Sequence, residues 1–503
     1  MFGYSAISLK LEDVVEAFRR FLRRTICCDS SDKDERSCQL RTLDIDNAPM
    51  AYGFLVALCS ALRHRNSLRE LLVEWENDMT NIEQHKTDLM WAWIAYGIFH
   101  PDAQAKLDNL FLSGWPIRPK DMAAFESVLR TAHPGRLLWI LEHGDLPQGK
   151  GLDEIVMPPG QRVMVQVKPK TNVRELPKLR SPSLYRSAGR DTEEFEVAIM
   201  LESCVSVIVP GYGLGWVSTT SIVSRREVPS KCAVSPLVGD EDPKSRSRAI
   251  AAANVKVLSR YSLGGGPADE GGFGMPDEDD PPFAPDSIED VKFLLQMVGH
   301  GLEGFEYPLH HIDISEADLN EMLDSCPNLR QLILKGNNIT GIAPLVDRYR
   351  ARQCQIASLS IDSTSDSTSE NTSIAQQLAE LLASPSSKPL LSVEVSGLVD
   401  DHDRLEQLGK ALHANKTLEL LSIYLDHPDN GGEILTRIQN EQESVIGSKL
   451  LEPTKLAFLS VIHEHASRAP GDPRFASLAK MDSSIVAQVF AFAAVPITRS
   501  VIW

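Results

Sequence analysis

One spacing constrains this chain more than any other feature: Leu329-x-x-Leu332-x-Leu334-x-x-Asn337-x-Ile339. Alternate residues of a strand point to one side, so Leu332 and Leu334 share a single face. An Asn after such a strand can bond backbone groups that a sharp turn leaves free. Ile339 then fills the core beneath the turn. A lone segment of this kind cannot bury its apolar face and needs similar segments stacked beside it. The pattern returns, less perfectly, in both halves of the chain. In the second half it recurs at Leu309, Ile312, Ile314 and Leu319, with Ala317 in the Asn position. It recurs again at Ile356, Leu359 and Ile361, at Leu390, Val393, Val395 and Leu398, and at Leu418, Leu421 and Ile423 with Asp426. In the first half it appears at Leu40, Leu43 and Ile45 with Ala48, at Leu68, Leu71 and Val73, and at Leu107, Leu110, Leu112 and Ile117 with Trp115. Leu68 follows Leu40, and Leu418 follows Leu390, by the same 28 residues.

Helical spacing fills the gaps: Met50–Leu62, Leu89–Ile98, Lys120–Ala132, Ile374–Leu382 and Leu405–His413. A further strand is expected near Leu137. Strand-plus-helix units of this length resemble the ribonuclease-inhibitor class of leucine-rich-repeat proteins, over roughly two thirds of the chain. The broken, degenerate array is similar in style to large oomycete protein families. The resemblance implies a horseshoe scaffold that binds protein, and it implies no reaction.

The period stops between about Met157 and Val223. Gln161–Val167, Phe195–Leu201, Ser203–Val209 and Ser218–Val223 read as short strands between Gly and Pro turns, which points to a small β-barrel. The segments Asn172-Val-Arg-Glu-Leu-Pro177 and Gly215-Trp-Val-Ser resemble the bacterial-type SH3-like fold, which places Trp216 in the barrel core. Gly211, Gly213 and Gly215 imitate a dinucleotide loop, but a strand pattern follows where that fingerprint needs a helix, so a hairpin turn is expected. With Trp216 buried, Tyr212 becomes the exposed aromatic.

The fold class expected is therefore α/β: a leucine-rich-repeat solenoid interrupted by a small all-β barrel, with helical caps. The divisions expected are a cap over 1–39, a first repeat block over 40–150 and the barrel over 157–224. A linker over 225–290, a second block over 291–451 and a helical cap over 452–503 follow. The linker holds Gly264–Asp290, with nine acidic residues and no basic one. Such a segment has little to bury and stays solvated.

Composition narrows the function. Asp and Glu total 69 against 51 Lys and Arg, a net charge of -18. Phosphate binding is driven by positive charge, so nucleic acid is not the expected ligand, nor is an anionic membrane. The eight cysteines are scattered without a Cys-x-x-Cys pair, as in a reduced intracellular, cytoplasmic protein. The N-terminus lacks a signal-peptide pattern and reads as an amphipathic helix. His463 and His465 lie two apart, which on a helix points them to opposite sides of one metal, and His310 and His311 diverge likewise on a strand. No phosphate-binding lysine loop, nucleophile elbow or kinase set occurs. No enzyme, no metal and no cofactor are expected.

The expected activity is protein binding on the strand face of the repeats. Its outward residues, read from the template, are Arg41, Asp44, Asp46, Arg69, Glu70, Glu74, Asp108 and Phe111 in the first block. In the second they are His310, Asp313, Arg330, Lys335, Asp362, Glu394, Glu419 and Tyr424. Acidic groups outnumber basic ones in both, so the partner expected is a protein with a basic surface. Tyr212 of the barrel is the reserve site. A second reading is a ubiquitin-ligase substrate receptor or similar adaptor that docks through the apolar segment Asp482–Ala494.

Overall fold

The computed structural model describes residues 11–26, 40–45, 52–64, 67–74, 85–113, 117–144, 152–177, 181–187, 192–232, 251–261, 287–308, 312–362, 368–385, 389–398, 402–425, 432–440, 444–445 and 497–502. The protein is mixed α/β. It divides into two compact units, Met1–Ile312 with Glu321–Leu329, and Asp313–Asn320 with Arg330–Trp503. No helix among the described residues is long and apolar enough to cross a membrane.

The second unit is built as its leucines require. Strands Gln331–Leu334, Ser358–Asp362, Ser392–Leu398, Leu420–Leu425 and Ser500–Ile502 run parallel in that order. Register lines up Leu332, Leu359, Val393, Leu421 and Val501 in one row, and Leu334, Ile361, Val395 and Ile423 in the next. All nine are buried. Each is a residue whose transfer from water contributes roughly 1.5–3 kcal/mol. Helices Ala343–Arg350, Thr368–Ala383 and His402–Ala414 carry the chain from one strand to the next. Asn337 is fully buried, and its side-chain amide donates to the carbonyls of Leu334 at 3.3 Å and Lys335 at 3.4 Å. That is the turn-closing role its position implied. At the far end the buried Arg499 guanidinium donates to the carbonyls of Leu412 at 2.7 Å and Leu418 at 2.8 Å, and to that of Asn415. It thereby caps the end of helix His402–Ala414 with positive charge.

The first unit repeats the arrangement with strands Thr42–Ile45, Glu70–Glu74, Leu107–Ser113, Val255–Tyr261 and Gly304–Glu306, again all parallel. Leu43, Leu71, Leu110, Leu258 and Phe305 form one buried row. The next row reads Ile45, Val73, Leu112 and Arg260. Arg260 is buried there, with its guanidinium 5.8 Å from the Trp91 ring and 6.0 Å from that of Tyr307. Its helices include Leu11–Thr25, Tyr52–Leu62, His85–Ile94 with a π-helical turn Ala95–Phe99, Pro119–Arg130, Pro134–His143 and Ile288–Val298.

Four expectations change here. The segment over 452–503, expected as a helical cap, contains strand Ser500–Ile502, which pairs with Leu420–Leu425. Residues near Leu137 are helical rather than extended, because Pro134 opens a helix with its fixed φ and Gly144 closes it at φ 73°. The segment assigned to a linker contains strand Val255–Tyr261, which lies between Leu107–Ser113 and Gly304–Glu306. Asp313–Ile314 does not join the main row of strands but pairs with Asn338–Ile339.

The middle segment is a seven-stranded antiparallel sheet in the order Ile222–Pro229, Gln161–Val167, Glu193–Met200, Cys204–Val209, Gly213–Ser218, Asn172–Arg174 and Ser183–Arg186. It belongs to the first unit. Gly213 explains part of the attachment: at φ 93°, with an added Cβ falling 2.3 Å from Val56 Cγ1, only glycine fits. Trp139 of helix Pro134–His143 meets Trp216 edge to face at 6.0 Å.

Candidate functional site

Strand register shows which side chains share the outward face of the first unit. One row is Thr42, Glu70, Asn109, Val257 and Gly304. The next is Asp44, Leu72, Phe111, Ser259 and Glu306, and beyond it lie Glu74 and Ser113. These rows contain Asp44, Glu70, Glu74 and Glu306 and no basic residue. Thr42 Oγ1 donates to Glu70 at 2.9 Å, and Ser259 Oγ to Glu306 at 2.7 Å. Of the expected set, Asp44, Glu70, Glu74 and Phe111 belong to this face. Arg41, Arg69 and Asp108 do not: Arg41 and Arg69 precede their strands and Asp108 precedes the residues of Leu107–Ser113 that pair with Glu70–Glu74, so the three form its rim, where Asp108 pairs with Lys256 at 2.7 Å. The template placed them outward because it does not say where the ladder begins. The register adds Leu72, Asn109, Val257, Ser259 and Glu306.

The second unit differs. Its outward rows are Gln331, Ser358, Ser392, Leu420 and Ser500, then Ile333, Ser360, Glu394, Ser422 and Ile502, with Asp362, Ser396 and Tyr424 beyond. This face is rich in serine, with Glu394 and Asp362 as its acidic residues. Glu394 accepts from Lys335 at 2.6 Å and from Ser360 at 3.2 Å, and Asp362 accepts the Gly336 N–H at 3.2 Å. Lys335, expected to be exposed, is half-buried by that pairing. Arg330 and Glu419 are rim residues whose carbonyls receive neighbouring backbone N–H groups. Asp313 accepts from Asn338 at 2.8 Å, away from the main strand rows. Tyr424 is exposed as expected. Asp46, His310, His311, His463, His465, the acidic run 262–286 and Asp482–Ala494 lie outside the described residues.

Tyr212 is not the exposed aromatic of the sheet. It is 7% exposed, beside Trp216 at 4%, because helix Leu11–Thr25 covers it and the Arg19 guanidinium lies 5.7 Å from its ring.

A buried charge cluster went unread in the sequence. Arg63 and Glu196 pair at 3.3 Å with side chains 0% and 2% exposed, and Arg162 adds a second guanidinium 3.6 Å from Glu196. Arg162 Nε is also 3.2 Å from Asp102, which accepts from Ser230 Oγ at 2.6 Å and from the Lys231 N–H at 2.8 Å. Two arginines thus face two carboxylates, and the interior stays neutral. Burial alone would raise the Glu196 carboxyl, but the Arg63 and Arg162 charges outweigh it and hold it at about 2.

His100 and Cys232 adjoin Asp102, and the three place ligand atoms within 4.8 Å of one another. The order Cys232–His100–Asp102 imitates a nucleophilic triad, with Sγ 3.2 Å from Nε2 and Nδ1 3.8 Å from the carboxylate. The hydrogen bonds run the other way. His100 Nδ1 accepts the Asp102 main-chain N–H at 3.1 Å, so the ring proton sits on Nε2 and points to the Thr131 carbonyl at 3.0 Å. A triad needs the proton on Nδ1 and a lone pair facing sulfur. A metal likewise needs a nitrogen lone pair, and neither is spare. Burial, then the Arg63 charge, lowers His100 to about 3, and burial lifts Cys232 to about 11. A neutral imidazole beside a thiol is a fastener, holding residues 230–232 to the ends of two helices.

The chain matches no protein-family model, and it has no significant match among curated proteins.

Proposed function

We propose that the protein is a non-enzymatic interaction scaffold that binds a basic segment of a protein partner across the outward strand face of its first unit. The observation that carries this reading is the pairing of Leu72 with Phe111 in register, both half-buried, between rows holding Asp44, Glu70, Glu74 and Glu306. Apolar anchors ringed by one sign of charge favour a partner of the opposite sign, chiefly through its rate of encounter. On the same reading the strand–helix units are leucine-rich repeats of the ribonuclease-inhibitor-like class, curved with this face concave, and the antiparallel sheet is an SH3-like insert. Asn337 at the strand-ending turn and the parallel leucine rows support that assignment. The test is kinetic. A partner recovered by cross-linking should associate more slowly as salt rises, and more slowly still with Asp44→Lys, Glu70→Lys and Glu74→Lys combined. Ser358→Lys and Ser392→Lys, which add the same charge to the other face, should leave the rate unchanged. Association indifferent to salt and to the triple variant defeats the proposal.

A further inference from the structure

Helix Leu11–Thr25 rests its apolar side on helix Tyr52–Leu62, with Leu22 buried and the Phe18 and Phe54 rings 4.9 Å apart. That burial would hold the helix without any charge. The helix nevertheless turns two arginines, one turn apart, onto two tyrosines of the antiparallel sheet. Arg23 lies 4.6 Å from the Tyr185 ring and Arg19 lies 5.7 Å from that of Tyr212, and the two rings are 5.0 Å apart. Arg23 Nη2 donates to the Tyr185 hydroxyl at 2.6 Å and to Glu193 at 2.6 Å, while Nη1 donates to the Pro210 carbonyl at 3.3 Å. The Tyr185 hydroxyl in turn donates to Glu193 at 2.9 Å. A planar fork over an aromatic face, with a carboxylate in its plane, is matched to guanidinium and poorly matched to ammonium. The turn at Gly211 follows the helix closely: its φ is 83°, and a Cβ there would lie 3.6 Å from the Arg19 carbonyl.

We propose that Tyr185, Tyr212 and Glu193 form an arginine-recognition pocket, occupied in cis by Arg23, that receives an arginine-bearing helix of a protein partner in exchange for Leu11–Thr25. The partner helix carries arginines four apart, as Arg19 and Arg23 are, with an apolar residue in the place of Leu22. The pocket is accessible to exchange: Arg23 and Glu193 keep 25% and 18% of their side chains exposed, whereas Arg63 and Glu196 keep 0% and 2%. Partly solvated pairs are screened and weakly held, so a competitor in trans can replace them. This pocket is separate from the strand face and does not depend on the reading of it.

The probe is a fluorescein-labelled peptide of residues 10–26, titrated into the full-length protein. A cis occupant lowers the apparent affinity by the fraction of time it leaves the pocket open. The full-length Arg23→Ala variant should therefore bind the probe about tenfold more tightly than the parent. Adding Glu193→Gln to that variant, or replacing the probe's own Arg23 by Ala, should abolish the gain. Equal binding by parent and variant, or a gain that survives loss of the probe's arginine, overturns the proposal. If circular dichroism shows Arg23→Ala unfolded, Arg23→Lys replaces it, keeping the charge without the fork. It should gain about threefold, and a folded Arg23→Lys with no gain overturns the proposal equally.

Discussion

The strand rows of the two units handle charge in opposite ways, although the second unit also buries Arg499 at its end. The second fills both inward rows of its strands with aliphatic residues and leaves Lys335 and Glu394 at the surface. The first puts Arg260 into an inward row and closes Arg63, Glu196 and Asp102 inside, with the partly buried Arg162 against both carboxylates. Aliphatic rows form by area alone, and any residue of the right size serves. A buried ion requires particular partners at one place, since an unmatched charge in the interior is very costly. The first unit is thus held by specific pairings between distant segments, and the second by a repeated local rule.

That difference is broken most directly at Glu196. Glu196→Gln leaves Arg63 in the interior without its charge partner, and such breaks cost about 3–5 kcal/mol. Urea unfolding followed by tryptophan fluorescence measures it, because Trp91, Trp93, Trp139 and Trp216 all lie in the first unit. The double variant Arg63→Met with Glu196→Leu should recover most of the loss. A single variant as stable as its parent would mean that water reaches the pair.

Acid tests the same contrast. His64 and His100 take protons only at about 4 and about 3 in the fold, against 6.5 ordinarily, both chiefly because they are buried. Between those values the unfolded chain binds more protons, so stability falls as pH falls from about 6.5. Glu196 is held at about 2 against 4.5, so its contribution is full above about 4.5 and lost as pH falls through about 2. The tryptophan-detected melting midpoint should therefore drop steadily between about pH 7 and pH 4. A flat profile there would mean that both imidazoles are solvated.

The next effect belongs to the second unit. Leu332→Ala removes the first member of the row Leu332, Leu359, Val393, Leu421 and Val501. The cost should be about 2–5 kcal/mol in urea, the range for a large-to-small change in a packed core. A neutral result would mean that the row can close over the gap.

What the sequence made legible follows the same line. Leu332, Leu334 and Asn337 were assigned their neighbours correctly because one spacing determines all three environments. Strand Val255–Tyr261 was not read as a repeat, because Arg260 stands where the template asks for an aliphatic residue. Spacing puts the rim residues Arg41, Arg69 and Asp108 on the face because it fixes period but not where pairing starts. Arg63 and Glu196 stand 133 residues apart, and neither carries a local pattern. Spacing leaves Tyr212 outside because the helix that covers it lies nearly two hundred residues upstream, and that helix's arginine run reads equally well as a solvated face.

The smallest effect sharpens the comparison most finely. Lys335 and Glu394, like Arg63 and Glu196, join a cation to a carboxylate, here at 2.6 Å but with 39% and 27% of their side chains exposed. Water competes for both ends, and dissolved ions screen what remains. Lys335→Met keeps the stem that lies along the sheet and removes the charge, so it should cost about 0.2–1 kcal/mol. Glu394 keeps the Ser360 hydroxyl as a donor and is not stranded. Raising salt from about 0.05 M to 1 M should erase this difference between parent and variant. The same change should leave the cost of Glu196→Gln almost untouched, because no ion enters an interior that excludes water. Chemical denaturation with urea, which adds no ions, measures both costs at each salt concentration. If the two respond to salt alike, burial does not separate the two pairs, and the contrast between the units fails.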